Sequence, residues 1–145
     1  MANRHDQRIF RIVDANFNRA REGLRVCEDI CRFLHDQRIY TRRFKALRHR
    51  LTACLTGWDR NRLLAARDVG SDTGRVTICA ERRRRDWTDI FDANIQRAKE
   101  SVRVLEEVTK LADAESAESF KKLRYDLYAL EQKARPVMTS GGKRT

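Results

Sequence analysis

Pro136 is the one proline of the sequence, and six glycines are spread over 145 residues. A chain built from short strands needs a turn about every 8–12 residues. This shortage of turn residues excludes a β-sandwich in favour of helices, and 145 residues suffice for one domain with a genuine core. Long apolar runs are also missing. None approaches the roughly 20 residues of a membrane span, and "MANRHDQRIFRI" lacks the apolar stretch of a secretory signal, so the expected compartment is the cytoplasm. Cysteine is too sparse for a disulfide framework: Cys27, Cys31, Cys54 and Cys79 are the four. Cys27 and Cys31 sit one helical turn apart, a spacing a metal can use. His5, His35 and His49 fall elsewhere in the pattern, and the pair reads as small buried apolar residues. There is no GxGxxG, no nucleophile elbow and no histidine-centred hydrolytic constellation.

What the chain has in excess is arginine. Its net charge is +11, and 25 of the 32 basic residues are Arg. The planar guanidinium fork suits phosphate and carboxylate, which makes phosphorylated small molecules or nucleic acid plausible partners. Arg on solvated helix faces is the plainer explanation for any one of them.

The second excess is repetition. "DANFNRAREGLRVCEDI", Asp14 to Ile30, returns as "DANIQRAKESVRVLEEV", Asp92 to Val108. At about 100° per residue, Val13, Phe17, Ala20, Leu24, Cys27, Cys31 and Leu34 form the seam of a helix from about Asp6 to about His35. Ile12, Val26, Ile30 and Phe33 widen it. Phe91, Ile95, Ala98, Val102, Leu105, Thr109 and Ala112 repeat the seam, with Asp86 or Thr88 as cap. A shorter unit follows each copy: "FKALRHRL", Phe44 to Leu51, and "FKKLRYDL", Phe120 to Leu127. Phe120, Leu123, Leu127 and Leu130 make a stripe that Pro136 is expected to end. The expected fold is all-α: internally duplicated helical hairpins packed about a pseudo-twofold as a four-helix, bundle-like domain. Repeat one spans about 9–56, a connector 57–85 and repeat two about 86–134. The domain covers 1–135, with a flexible tail over 136–145.

Within each copy, Asn16 and Arg19, like Asn94 and Arg97, fall inside the apolar arc. A buried Arg costs several kcal/mol unless it is satisfied. One reading gives Arg19 to Glu22 and Arg97 to Glu100 in internal networks. The other opens both Asn–Arg pairs onto one shared cleft for a polar or phosphorylated ligand. Gly23, replaced by Ser101 in the second copy, permits close approach. Asp14, Arg25 and Glu28 recur as Asp92, Arg103 and Glu106 on the polar face, where ordinary salt bridges account for them.

The connector breaks the periodicity with "ARDVGSDTGR", Ala66 to Arg75. Asp68 and Asp72 are spaced to hold Mg²⁺, and backbone amides near Gly70 and Gly74 to cradle phosphate. A surface loop with Asp and Gly turn chemistry is the alternative. "RRRR", Arg82 to Arg85, reads as a solvated cluster or a phosphate-neutralising one. The tail "TSGGKRT" is not a Walker loop, because no helix follows it.

"DANFNRAREGLRVCEDICRF", "ARDVGSDTG", "FDANIQRAKESVRVLEE" and "LRYDLYALEQK", in that order from about Ile9 to Lys133, resemble a helical domain of thiamin biosynthesis. It is the monofunctional hydroxymethylpyrimidine-phosphate kinase domain often fused N-terminal to thiamin-phosphate synthase. The resemblance implies ATP-dependent phosphorylation of 4-amino-2-methyl-5-(phosphomethyl)pyrimidine to its diphosphate, with ATP and Mg²⁺ as cofactors. It assigns no residue roles. Phosphoryl transfer asks for positioning, Mg²⁺ and positive charge. The expected site therefore has Asp68 and Asp72 on Mg²⁺–ATP, Arg67 and Arg75 on the transition state, Arg19 and Arg97 on phosphates, and Asn16 and Asn94 on the pyrimidine or its phosphate. Two other classes compete: a non-catalytic module docking on thiamin-phosphate synthase, and an Arg-rich nucleic-acid binder. The latter is the less favoured for want of a recognition helix or stacking aromatics. Trp58, Trp87 and Tyr128 are the expected contact points of a homodimer.

Overall fold

The computed structural model describes residues 4–76 and 83–139. Cys79, Arg82 and residues 140–145 lie outside the described residues. The fold is all-α. Helix α1 (Arg4–Asp29) runs into a π-helical segment (Ile30–Leu34) and is followed by α2 (Arg38–Ala53) and a short α3 (Arg60–Ala65). A 3-10 turn (Thr73–Arg75), α4 (Trp87–Thr109) and α5 (Ala114–Thr139) complete the described order. The packing closes on itself, with α1 on α4, α4 on α5, α5 on α2 and α2 on α1. No helix among the described residues is long and apolar enough to cross a membrane.

The seam residues drive this arrangement. Val13, Ala20, Leu24, Cys27 and Cys31 of the first copy are buried, as are Phe91, Ile95, Ala98, Val102, Leu105 and Thr109 of the second. Phe44, Leu47 and Leu51 from α2 meet Phe120, Leu123, Leu127 and Leu130 from α5 in the same core. Phe44 packs edge-on against Phe91 at 6.0 Å between ring centroids. Burial pushes the Cys31 thiol up to about 12 and the Cys27 thiol higher still, so both behave as inert core residues.

Helices α1 and α4 approach most closely at Gly23. A Cβ there would lie 2.6 Å from the Asn94 carbonyl oxygen and 3.4 Å from Ala98 Cβ. Four residues on, Cys27 Sγ reaches the Phe91 carbonyl at 3.8 Å, so the two helices run antiparallel.

Each hairpin is closed by a buried ion pair. Arg48 of α2 donates to Glu28 of α1 at 2.9 Å, and Arg124 of α5 donates to Glu106 of α4 at 2.6 Å. Glu28 and Glu106 are the same position of the two sequence copies, and their side chains are 5% and 4% exposed. They belong to the packed joint, not to the polar face the helical wheel assigned them. The wheel marks where a side chain starts, and a second helix covered that sector. For Glu106, burial works to raise the carboxyl, but Arg124, aided by Arg103, outweighs it and holds the group below its ordinary value.

Three further expectations need correction. Pro136 does not end α5; the helix continues to Thr139, and Met138 is buried. The missing N–H leaves the Gln132 carbonyl without its helical donor, and the burial of Met138 holds the last turn in spite of it. Residues 136–139 are thus part of the helix and not of a tail. Trp58 is no outward contact point: its ring packs on Phe10 at 5.1 Å and its Nε1 donates to Ser116. Leu34, Phe33 and Ile12 are exposed instead of lining the core. The π-helical turn displaces the first two from the 3.6-residue period, and Asp36 then ends the segment in the left-handed region at φ 52°.

Two outcomes test this account. Gly23→Ala should destabilise by about 1–3 kcal/mol despite better helix propensity, because backbone must move. Gly57→Ala, with open space around it, should not. Removing Arg124 alone (Arg124→Met) should cost about 3–5 kcal/mol, and adding Glu106→Leu should restore most of it, as chemical denaturation would show. Since the Glu106 carboxyl is depressed in the fold, its stabilisation is complete above the unfolded value of about 4.5 and is lost as pH falls through the folded value. Glu106→Gln should flatten that acid limb.

Candidate functional site

The connector folds back on the first half of α1. Arg67, just beyond α3, grips Asp14 with two bonds, Nε to Oδ2 at 2.8 Å and Nη2 to Oδ1 at 2.9 Å. Asp14 is 7% exposed, and its hydrogen bond is the leading reason the Arg67 guanidinium is raised above its ordinary value. The repeated Asp92 is held alike by Arg135 of α5, at 2.6 and 2.9 Å. Both repeated carboxylates are anchors for a distant arginine, and the two arginines come from unrelated places in the chain.

Beyond Arg67 the loop is shaped by its own acids. Asp68 accepts hydrogen bonds from the Ser71 hydroxyl and the Ser71 amide, which hold its carboxyl below the usual carboxylate value, with help from Arg11. Asp72 caps the 3-10 turn by accepting from Gly74 N at 2.9 Å. Asx turns thus explain Asp68 and Asp72 locally, and both side chains remain exposed.

Three hollows follow one another along the flank of α1. The largest, about 490 Å³, lies between Gln7, Arg8 and Arg11 on α1 and Ala65, Ala66, Arg67 and Asp68 opposite. Through Arg11, Arg67 and Asp68 it continues into a hollow of about 140 Å³ that also holds Asp72 and Arg75. Through Gln7, Ala65 and Ala66 it continues the other way into one of about 190 Å³, beside Phe10 and Arg62. The result is a trough with five arginines, Arg8, Arg11, Arg62, Arg67 and Arg75, and two exposed carboxylates, Asp68 and Asp72, on its rim. Among the described residues no group of three His, Cys, Asp or Glu side chains is placed to hold a metal unaided. Asp68 and Asp72 do match the donor set by which Mg²⁺ is ordinarily held, one or two carboxylates with phosphate and water completing the shell.

The structure brings Arg67, Asp68, Asp72 and Arg75 together on this trough. It places the two Asn–Arg pairs elsewhere. Asn16 donates its amide to the Ile12 carbonyl at 2.9 Å, and Asn94 to Ile90 at 2.8 Å, each one turn back on its own helix. Asn94 faces Gly23, seven residues from Asn16, or roughly 10 Å along α1. Arg19 and Arg97 are exposed, not buried in the apolar arc. At the tight crossing of α1 on α4 only small residues face inward, and a long Arg one position away carries its charge out to water. These four side chains line none of the three hollows. Arg8 and Arg11, missed in the sequence, are the additions. They lie just ahead of the repeat, and their spacing to Asp14 at i, i+3 and i+6 was the available signal.

The molecule is therefore an all-α protein of two helical hairpins with a cationic trough on one flank; the second hairpin departs from the expected long-then-short plan, since α5 has 26 residues against 23 in α4. Residues 11–133 match the ThiD2 family, and the chain belongs to that family. It is 44% identical over 124 residues to a thiamine-phosphate synthase of Synechocystis, covering 85% of this chain and 35% of that protein. A thiamine-phosphate synthase of Rhodopirellula baltica is 38% identical over 130 residues, 89% of this chain and 35% of its own length. One of Gloeobacter violaceus is 39% identical over the whole chain and 40% of its own length. The chain thus spans about a third of the relatives it matches. No solved structure matches it significantly.

Asp14→Ala should release the connector while sparing the bundle, so tryptic cleavage at Arg67 and Arg75 should accelerate several-fold. Asp92→Ala, which frees Arg135 instead, should leave that rate unchanged.

Proposed function

We propose that this chain is an ATP-dependent kinase of thiamin biosynthesis, converting hydroxymethylpyrimidine phosphate and ATP into the pyrimidine diphosphate and ADP. The observation that carries the reading is the trough, in which five guanidinium groups and two exposed carboxylates line one flank of a helical bundle. A transferring phosphoryl group needs that equipment: cations spread around its oxygens, and acids to hold Mg²⁺ against the nucleotide. Asp68 and Asp72 would hold Mg²⁺, which would supply positive charge against nucleotide phosphates. Arg75 uses its backbone N–H on the Asp72 carbonyl, and its guanidinium makes no side-chain hydrogen bond or ion pair among the described residues and is available to the moving group, whereas Arg67 acts from the position Asp14 sets. Arg19 on α1 and Arg97 on α4 keep a role only if nucleotide extends beyond the trough, and Asn16 and Asn94 spend their amides on carbonyls of their own helices. The thiamin assignment is supported by family membership and by the relatives' names.

A second reading has its own observation. Phe33, Leu34 and Trp87 are 68%, 41% and 57% exposed and edge an apolar hollow with Val26, Ile30 and Ile90. Such a patch suits a non-catalytic module that packs on a synthase domain.

Purified chain given ATP, Mg²⁺ and the pyrimidine phosphate should release ADP in a substrate-dependent way. Asp68→Asn and Asp72→Asn should each lower turnover by about 10–100-fold, as loss of metal-orienting groups does. Folded wild-type chain that leaves ATP untouched yet binds the synthase would favour the module instead.

A further inference from the structure

The trough is not uniform along its length, and the difference gives it a direction. At one end, Phe10 is flanked by Trp58 at 5.1 Å and lies under the Arg62 guanidinium, 4.2 Å from its ring centroid. Arg62 is exposed, so the outer face of its planar group is open to solvent. Beside it, the Gln7 side chain is also exposed and supplies both an amide donor and an acceptor. Ala65 and Ala66 form a smooth floor that leads from this end to the middle. In the middle stand Arg8 and Arg11, whose guanidinium groups make no hydrogen bond or ion pair among the described residues beyond the longer-range pull of Arg11 on Asp68, and Arg67, already oriented by Asp14. Of the acids that suit a metal, Asp68 borders both the middle and the far hollow, and Asp72 the far one alone.

From this order of groups we propose that the trough is a polarised binding site for a phosphorylated planar heterocycle. The ring stacks on the Arg62 guanidinium with Gln7 reading its edge, and the phosphate sits between Arg8 and Arg11. The inference rests on the kinase reading for its choice of ligand, and it names binding residues which that reading leaves open. Guanidinium planes stack on flat π-systems while keeping their in-plane N–H groups free. A phosphate dianion draws two or more charge-assisted bonds from unpaired arginines. Arg8 and Arg11 lie on the same wall as Gln7, within one helical turn, so a single rigid element fixes both the ring end and the phosphate end. The acceptor phosphate is thereby delivered toward Asp68, Asp72 and Arg75, where the nucleotide would meet it. Ring and phosphate recognition are separable, because different side chains carry them.

Titration calorimetry without turnover tests this. The probes are 4-amino-2-methyl-5-(phosphomethyl)pyrimidine, the corresponding alcohol and inorganic phosphate. Arg11→Gln should weaken the phosphorylated pyrimidine at least tenfold and leave the alcohol unchanged. Arg62→Ala should weaken both pyrimidines several-fold and leave inorganic phosphate unchanged. Arg25→Gln, exposed on α1 away from the trough, is the control and should change nothing. Both variants replace exposed residues, and equal thermal unfolding would show them folded. Wild-type affinity in both variants, or loss of all three probes together, overturns the proposal, as does failure of the wild type to bind the phosphorylated pyrimidine. Directional binding without ADP release would sustain the trough assignment while removing the kinase reading. ADP release unaffected by either variant would do the reverse.

Discussion

The contact of α1 on α4 at Gly23 is the constraint on which the rest of the molecule depends. Two long helices can come this close only where side chains almost vanish, and Gly23, Ala20 and Ala98 provide that gap. Once the axes are so near, seam residues on either side interlock, and α1 and α4 each present a buried glutamate to the helix that follows in their hairpin. Glu28 with Arg48 and Glu106 with Arg124 then set the hairpin angles. Such pairs add little net stability over apolar replacements, but they penalise any register that separates them. Hydrophobic burial supplies the drive, and the ion pairs select the arrangement.

The same logic extends outward to the trough. Asp14 belongs to the first copy of the repeat and Asp92 to the second, and both are clamped by two guanidinium bonds. Yet one arginine comes from an irregular connector and the other from the end of a long helix. Matching positions thus fasten different cargo to the bundle. On one flank the cargo is an Asp- and Gly-bearing loop, which gives that flank its chemistry. The flank fastened by Arg135 carries helix alone.

Much of the fold was legible beforehand. Strong 3.6-residue periodicity exposed α1 and α4, and the recurring octapeptides exposed their hairpin partners, although α5 is longer than the short helix expected there. The cap at Asp86 followed from the spacing to Asp89, whose amide it accepts at 2.8 Å. The site was less legible. Asn16 and Arg19 sit close together on a wheel, but one amide turned to its own backbone and one guanidinium reached past the crossing into water. Wheels fix the direction of a Cβ, not the reach of a five-atom side chain. The Arg8–Arg11 face was overlooked because it borders the repeat without belonging to it. Its significance depends on where the aperiodic connector lands, which no local pattern encodes. Glu28 and Glu106 were taken for solvated residues because identity and spacing alone do not separate a surface pair from a covered one.

The two hairpins differ in the length of chain between their ion-paired residues. Glu28 and Arg48 are 20 positions apart, whereas Glu106 and Arg124 are 18 apart, although both pairs close the same kind of hairpin. The longer half carries the π-helical segment Ile30–Leu34, a wider coil that takes up additional length without a protruding loop. A change in chain length has in this way been converted into a change of pitch, and the core register on both sides survives it. The surplus surfaces as Phe33 and Leu34 at one tip only, so two halves written on a common plan end in tips of unlike chemistry.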